Sequence, residues 1–308
     1  MVSDPREVEE LLRDHSRRTT TRAELERKHG DGLGEVSPTV GVLDEAAVAS
    51  QAATDPDAAV DLLADLARAT DPGLRAAARR LAARLVVRPP RVGREERRGT
   101  TRLATVDREG PDLDLDATLE QSPRPSEGDL RWRGWRSSAR ATVLLVDASG
   151  SVAGAPLTTA VTTAGALAAG LRPDDELGVV AFWSRAVVLR DRASVRPASS
   201  VLDALFDLRG GSTTDLGLGL RTALAQLRDA RAAHREVVVL TDGAWNEGED
   251  PVPVAARSGA TVSVLRTVDS AEAVAACSRL AGAGGGRHAP LLRASDAPAA
   301  VASVLRLR

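Results

Sequence analysis

From residue 1 to about 90 the apolar positions repeat at the spacing of one helix face; beyond Arg140 they gather into short unbroken runs separated by helical stretches. In the first region Asp4-Pro5-Arg6-Glu7 supplies an N-cap, a proline at the first helical position and an acid at the third. Val8, Leu11 and Leu12 follow on one face. Thr21 with Glu24 reads as a second capping box and Gly30 as a helix stop, after which a glycine-rich stretch to Gly41 reads as turns. Ala53-Thr54-Asp55-Pro56 then recurs as Ala69-Thr70-Asp71-Pro72, each copy opening an Ala/Leu/Arg helix. The pair predicts a helical hairpin with Leu62, Leu63, Leu66, Leu74, Leu81 and Leu85 turned inward. Two copies are too few for a solenoid.

Pro89-Pro90 closes this region, and residues 91–137 are expected to be a linker with one short strand-like segment. That segment, 111–120, alternates strictly, with Leu113, Leu115, Ala117 and Leu119 on one side and Asp112, Asp114 and Asp116 on the other. The aspartate spacing invites comparison with a calcium-binding EF-hand loop, which needs Gly at position six and Glu at position twelve. Ala117 and Pro123 stand there instead, so a solvated strand face is expected. Between Arg75 and Arg102 lie ten arginines against Glu95 and Glu96. With no aromatic nearby to stack on bases, they read as a solvated face rather than a nucleic-acid site.

After Arg140 strands are expected near 141–147, 176–182, 186–190, 236–241 and 261–266. Helices are expected near 154–171, 198–207, 216–232, 251–258, 270–282 and 296–306. This alternation predicts an α/β, Rossmann-like domain over 138–308, a mostly parallel sheet with helices on both faces, preceded by a small α-helical domain or arm over 1–90. Gly284-Gly285-Gly286 lacks the Lys-Ser/Thr of a phosphate loop and reads as a turn before a last edge strand.

Composition removes several function classes. Net charge is −2, so nothing draws the whole chain toward nucleic acid. No run approaches the roughly 20 apolar residues of a membrane span, and the charged amino terminus is unlike a secretory signal. A cytoplasmic protein without membrane insertion is therefore expected. Cys277 is the single cysteine, which excludes an internal disulfide framework or a cysteine-based zinc site. It reads as a core filler. None of His15, His29, His234 and His288 sits in a triad context. Core packing is expected for Trp183 and Trp245, of which Trp245 is the better candidate for an exposed anchor; Trp132 and Trp135 are expected to pack the linker onto the sheet.

The stretch Thr142–Ser151, TVLLVDASGS, carries the chemistry. An apolar run buried on both faces ends in Asp147, and Ser149 and Ser151 follow around Gly150. In parallel sheets, ligands bind at the loops leaving the carboxyl ends of the strands. Two more loops add oxygens at that edge: Gly210–Gly217, with Thr213 and Thr214, and Thr241-Asp242-Gly243 after the run Val237–Leu240. Oxygen-only donors of this kind suit a hard divalent cation such as Mg²⁺.

DASGS, GGSTTDLG and TDG resemble the three motifs of the von Willebrand factor A (VWA) domain and its metal-ion-dependent adhesion site. The family pattern Gly-Gly-x-x-Thr-x-x-Gly picks Thr214 rather than Thr213. The resemblance implies that Ser149, Ser151 and Thr214 approach the ion directly or through water, while Asp147 and Asp242 act through water and hydrogen bonds to the serines. It implies Mg²⁺, with Mn²⁺ or Ca²⁺ as substitutes, and an open coordination position filled by an Asp or Glu of a partner protein. Residues 113–119, Arg131–Arg140 and the following strand are similar to the bacterial CoxE-like group, in which a helical part precedes the VWA domain. That likeness implies a MoxR-type AAA+ ATPase, or its client, as partner, and a role as adaptor or co-chaperone in protein or metal-centre maturation. The expected function is non-enzymatic. The enzyme alternative is a haloacid-dehalogenase-like phosphotransferase with Asp147 as nucleophile, which needs a second acid two residues on to protonate the leaving group. Ser149 stands there.

Overall fold

The computed structural model describes residues 19–39, 41–86, 101–106, 112–137, 139–149, 155–172, 174–194, 200–208 and 213–305. The helix expected around Val8–Leu12 and the basic segment 87–100 lie outside them.

The amino-terminal region holds α1 (Arg22–His29), α2 (Asp31–Val36), α3 (Glu45–Thr54), α4 (Pro56–Leu66) and α5 (Pro72–Val86). The capping box is present: Thr21 receives the Glu24 amide, and the Glu24 carboxylate receives the Thr21 amide at 2.8 Å. Both Asp-Pro signals open helices, with Asp55 accepting from the Ala58 amide at 3.0 Å and Asp71 from the Leu74 amide at 2.7 Å. Leu62, Leu63, Leu66, Leu74 and Leu81 are all buried, as expected; the Leu85 side chain lies outside the described set. Gly30 stops α1 at φ 52°, yet α2 begins at the next residue inside the stretch read as turns. Gly32 and Gly34 each cost that helix about 1 kcal/mol against alanine, but Leu33 and Val36 are almost fully buried, and that burial offsets the cost. The sole lysine, Lys28, and His29 meet Asp65 of α4 at 2.6 and 2.7 Å. Although burial works against its charge, hydrogen bonds from His29 and Lys28 hold the Asp65 carboxyl below its ordinary range.

Residues 101–137 depart from the expected linker. β1 (Thr101–Val106), β2 (Asp112–Leu113) and β3 (Trp132–Ser137) form an antiparallel sheet in the order β1-β3-β2. Trp132 and Trp135 stand in β3, opposite Val106 and Leu103, within this small sheet rather than in a linker; the Trp135 side chain lies outside the described set. The alternating segment is not a strand beyond Leu113: α6 (Leu115–Gln121) follows at once. Asp114 is the reason. Its carboxylate caps α6 at the Ala117 amide, receives the Thr105 hydroxyl at 2.7 Å and lies 3.4 Å from Arg133. The residue read as solvated is buried, while Leu115 and Leu119 are 61% and 52% exposed.

The main sheet is built from β4 (Arg140–Asp147), β5 (Glu176–Phe182), β6 (Ala186–Arg190), β7 (His234–Thr241), β8 (Thr261–Arg266) and β9 (Gly285–Pro290). Its order is β6-β5-β4-β7-β8-β9, all parallel except the edge strand β6. The apolar runs are buried on both faces, and alternate residues divide between two cores. Leu144, Val146, Val179, Val238 and Leu240 face α7 (Ala155–Ala169), α8 (Ser200–Asp207) and α12 (Ala297–Val304). Val143, Leu145, Val180, Phe182, Val237 and Val239 face α9 (Leu216–Leu227), α10 (Pro251–Ala256) and α11 (Ala271–Ala283). Cys277 is fully buried in the second core, and burial pushes its thiol up to about 11.

The helical region packs onto the first face. α4 and α5 lie against α7, α5 also against α8, and their leucines join the same core as the sheet. Polar ties flank this layer. Arg68 donates to the carbonyls of Phe206 and Leu208 at 2.9 and 2.7 Å, Arg79 pairs with Asp207 at 2.5 Å, and the Thr158 hydroxyl donates to Asp61 at 2.9 Å. Among the described residues no helix is long and apolar enough to cross a membrane.

Candidate metal-binding site

Asp147 is the last residue of β4, and neighbouring β7 ends level with it, at Thr241, just before Asp242. Adjacent parallel strands thus deliver two carboxylates to one edge. Asp147 is already engaged on both oxygens. Oδ1 accepts the Ser149 amide at 3.0 Å and the Ser149 hydroxyl at 2.7 Å; Oδ2 accepts the Thr241 hydroxyl at 2.8 Å. Burial pushes the Asp147 carboxyl above its ordinary value; the Ser149 and Thr241 hydrogen bonds oppose that rise, and the charge of Asp242 adds to it. Asp242 itself is exposed, and one of its oxygens accepts the Ala244 amide at 2.8 Å. Gly243, at φ 84°, makes the turn that this loop needs.

Thr214 reaches the same edge by another route. Its neighbour Asp215 donates its amide to the Trp183 carbonyl at the end of β5 and caps α9 at the Leu218 amide. The Thr214 amide donates to the Asn246 side chain at 2.9 Å, and its carbonyl receives the amides of Asn246 and Glu247. The residue is 5% exposed, and its hydroxyl makes no hydrogen bond among the described residues. Ser151 lies outside the described residues. The structure therefore ties Asp147 directly to Ser149, sets Asp242 beside them, and fastens Thr214 to the loop that follows Asp242. Thr241 and Asn246, which hold these pieces, were not singled out by the sequence. Their only signal was adjacency to the Asp242 motif.

The donor set fits a hard cation. It offers hydroxyl and carboxylate oxygens, with a partly buried carboxylate, a second acid beside it and, among the described residues, no cationic side chain hydrogen-bonded to either. Among the described residues no group of three or more His, Cys, Asp or Glu could hold a metal. Trp245, two residues from the Asp242 loop turn, is partly buried against the second core, and Trp183 is buried in the first. Where the phosphotransferase alternative requires an acid, Ser149 instead donates to Asp147.

A mostly parallel sheet wrapped by helices, with oxygen donors at its carboxyl edge, defines an α/β domain of the doubly wound kind. A family model for the von Willebrand factor type A domain matches residues 142–297, half of the chain, and the chain belongs to that family, whose domains commonly serve in protein interaction. An uncharacterized protein of Synechocystis sp. is 35% identical over 111 residues, 35% of this chain and 26% of its own length. A Borreliella burgdorferi protein is 35% identical over 79 residues, 25% of this chain and 23% of its own. The chain thus spans about a quarter of the length of the curated relatives it matches. Among solved structures, an aerotolerance-related membrane protein from Bacteroides fragilis is 20% identical with a TM-score of 0.45, covering 55% of this chain and 98% of that one. A von Willebrand factor type A structure from Catenulispora acidiphila is 20% identical with a TM-score of 0.41, covering 54% and 41%.

Proposed function

We propose that this chain is a non-enzymatic, Mg²⁺-dependent protein-interaction module that captures an acidic side chain of a partner at the edge formed by Asp147, Ser149, Ser151, Thr214 and Asp242. The observation that carries the reading is the Asp147 carboxylate, partly buried beside a second acid and oriented by Ser149 and Thr241. A group placed so is unfavourable as a bare anion and well placed to face a cation. The hydroxyls of Ser149, Ser151 and Thr214 would hold the ion, and Asp147 and Asp242 would act through water and through hydrogen bonds to the serines. Mn²⁺ or Ca²⁺ could occupy the same oxygens. When bound, the ion supplies one open position with residual positive charge, which an Asp or Glu of the partner fills.

The partner in this reading is a MoxR-type AAA+ ATPase or its client, with the chain as adaptor or co-chaperone in protein or metal-centre maturation. Support for that choice is the likeness of residues 113–119 and Arg131–Arg140 to the CoxE-like group. The test is a pull-down from a native lysate, with Mg²⁺ or with chelator, read by mass spectrometry. An AAA+ ATPase recovered only with Mg²⁺, and lost with Asp147→Ala whose circular dichroism is unchanged, is the expected result. Capture that ignores both chelator and substitution would overturn the proposal, and phosphatase turnover dependent on Asp147 would restore the enzyme alternative.

A further inference from the structure

The opposite edge of the main sheet is also chemically biased, and Asp147, Ser149, Thr214 and Asp242 take no part in lining it. Where the parallel strands begin, the register sets Arg140 beside His234, Glu236 beside Thr261 and Val262 beside Gly285. A cavity of about 410 Å³ opens there, lined by Arg140, Arg235 and Arg287. A second, of about 560 Å³, is lined by Arg221, Arg228 and Arg257, and the two share Arg235 and Gly259. They form one arginine-lined groove.

The acids in it are already engaged. Glu236 accepts the Ser263 hydroxyl at 2.7 Å, and Glu249 pairs with Arg221. Among the described residues Arg228 and Arg235 have no ion-pair partner. Among the described residues Arg257 and Arg287 reach backbone carbonyls only, of Pro253 and Ser303, at 3.2 and 3.4 Å. This positive charge is concentrated in a chain whose net charge is −2.

We infer that this groove is a second binding site, which takes an extended acidic segment of a protein partner independently of any metal. Length decides the class of ligand. From the strand of Arg140 to that of Arg287 is three strand spacings, about 14 Å, which matches roughly four residues of extended chain rather than one phosphate group. Neither cavity is lined by Phe, Tyr or Trp, and His234 is the single ring along the described lining, so the row of stacking platforms that a single-stranded nucleic acid uses is missing. The end of the groove at Arg140 and Arg287 is separate from the metal edge, because Arg140 and Asp147 are seven rises apart along β4, about 23 Å.

The test is fluorescence anisotropy of a labelled peptide of alternating Asp and Ser against the full chain in chelator. The expected result is binding that weakens as salt rises, falls about tenfold or more in the double variant Arg235→Glu/Arg287→Glu, and is unchanged in Arg293→Glu, a surface arginine elsewhere. A second double variant, Arg228→Glu/Arg257→Glu, repeats the test in the adjoining cavity should the first fail to fold. Asp147→Ala must bind the peptide like the parent, which keeps this site's outcome distinct from that of the metal site. No peptide binding, undiminished binding by folded variants, or equally tight binding of an oligothymidine would overturn the inference.

Discussion

Replacing Thr241 by Val removes a single hydroxyl in a side chain of nearly the same shape, at a position only 1% exposed. That hydroxyl donates to Asp147 Oδ2 at 2.8 Å and accepts the Gly243 amide at 3.2 Å. Losing a bond to a charged acceptor costs about 1.5–3 kcal/mol, and the orphaned amide adds about 1 kcal/mol. The extra buried methyl returns about 0.8 kcal/mol. The net expectation is a loss of about 2–3 kcal/mol in metal-free protein at neutral pH, read as a shift of the urea midpoint at constant slope. The pH dependence is the sharper part. Asp147 titrates above its ordinary value in the fold, and removing a donor that favours its charged form raises it further. The penalty is therefore full above that raised value and shrinks as pH falls through it and Asp147 takes up a proton. Thr241→Ser, which keeps the hydroxyl, should recover most of the loss. A Val variant as stable as the parent at neutral pH, or a penalty that grows on acidification, would refute the role given to Thr241.

Three further outcomes follow from the same structure. Asp147→Asn in chelator should be at least as stable as the parent at neutral pH, because a raised folded pKa means that the ionised form costs stability above it; its melting temperature should no longer respond to Mg²⁺. Arg79→Ala removes the pair with Asp207 and a guanidinium 5.8 Å from the Phe206 ring centre, and should cost about 1–2 kcal/mol, with faster hydrogen exchange in α5 and α8. Cys277 should resist iodoacetamide at pH 8 in the folded protein and react promptly once urea unfolds it, since burial lifts its thiol to about 11 and no solvent reaches it.

The main sheet was legible because its strands are unbroken apolar runs, and the loops after them carry motif residues in order. Asp55 and Asp71 were legible for a similar reason, each being a cap followed by a proline. Misreadings arose where a local pattern was outweighed by distant partners. Asp114 looked like one of three solvated aspartates until the Thr105 hydroxyl and the Ala117 amide claimed it, turning an alternating strand into a helix start. α2 was hidden by its glycines, whose low propensity is outweighed by burial of Leu33 and Val36 in a core completed from elsewhere. β1 and β3 carry arginines and tryptophans without alternation, and only their pairing makes them strands. At the site, Asp147 and Ser149 could be chosen from sequence, but Thr241 and Asn246 could not. Their roles depend on which strand lies beside β4 and on how the Thr214 loop folds back.

The most direct measurement is anomalous scattering from crystals of the full chain grown with Mn²⁺. The expected result is one strong anomalous peak at the carboxyl edge, among the oxygens of Asp147, Ser149, Thr214 and Asp242, absent from crystals of Asp147→Ala. An edge without anomalous density in Mn²⁺-saturated crystals, or a peak that persists in the variant, would contradict the account.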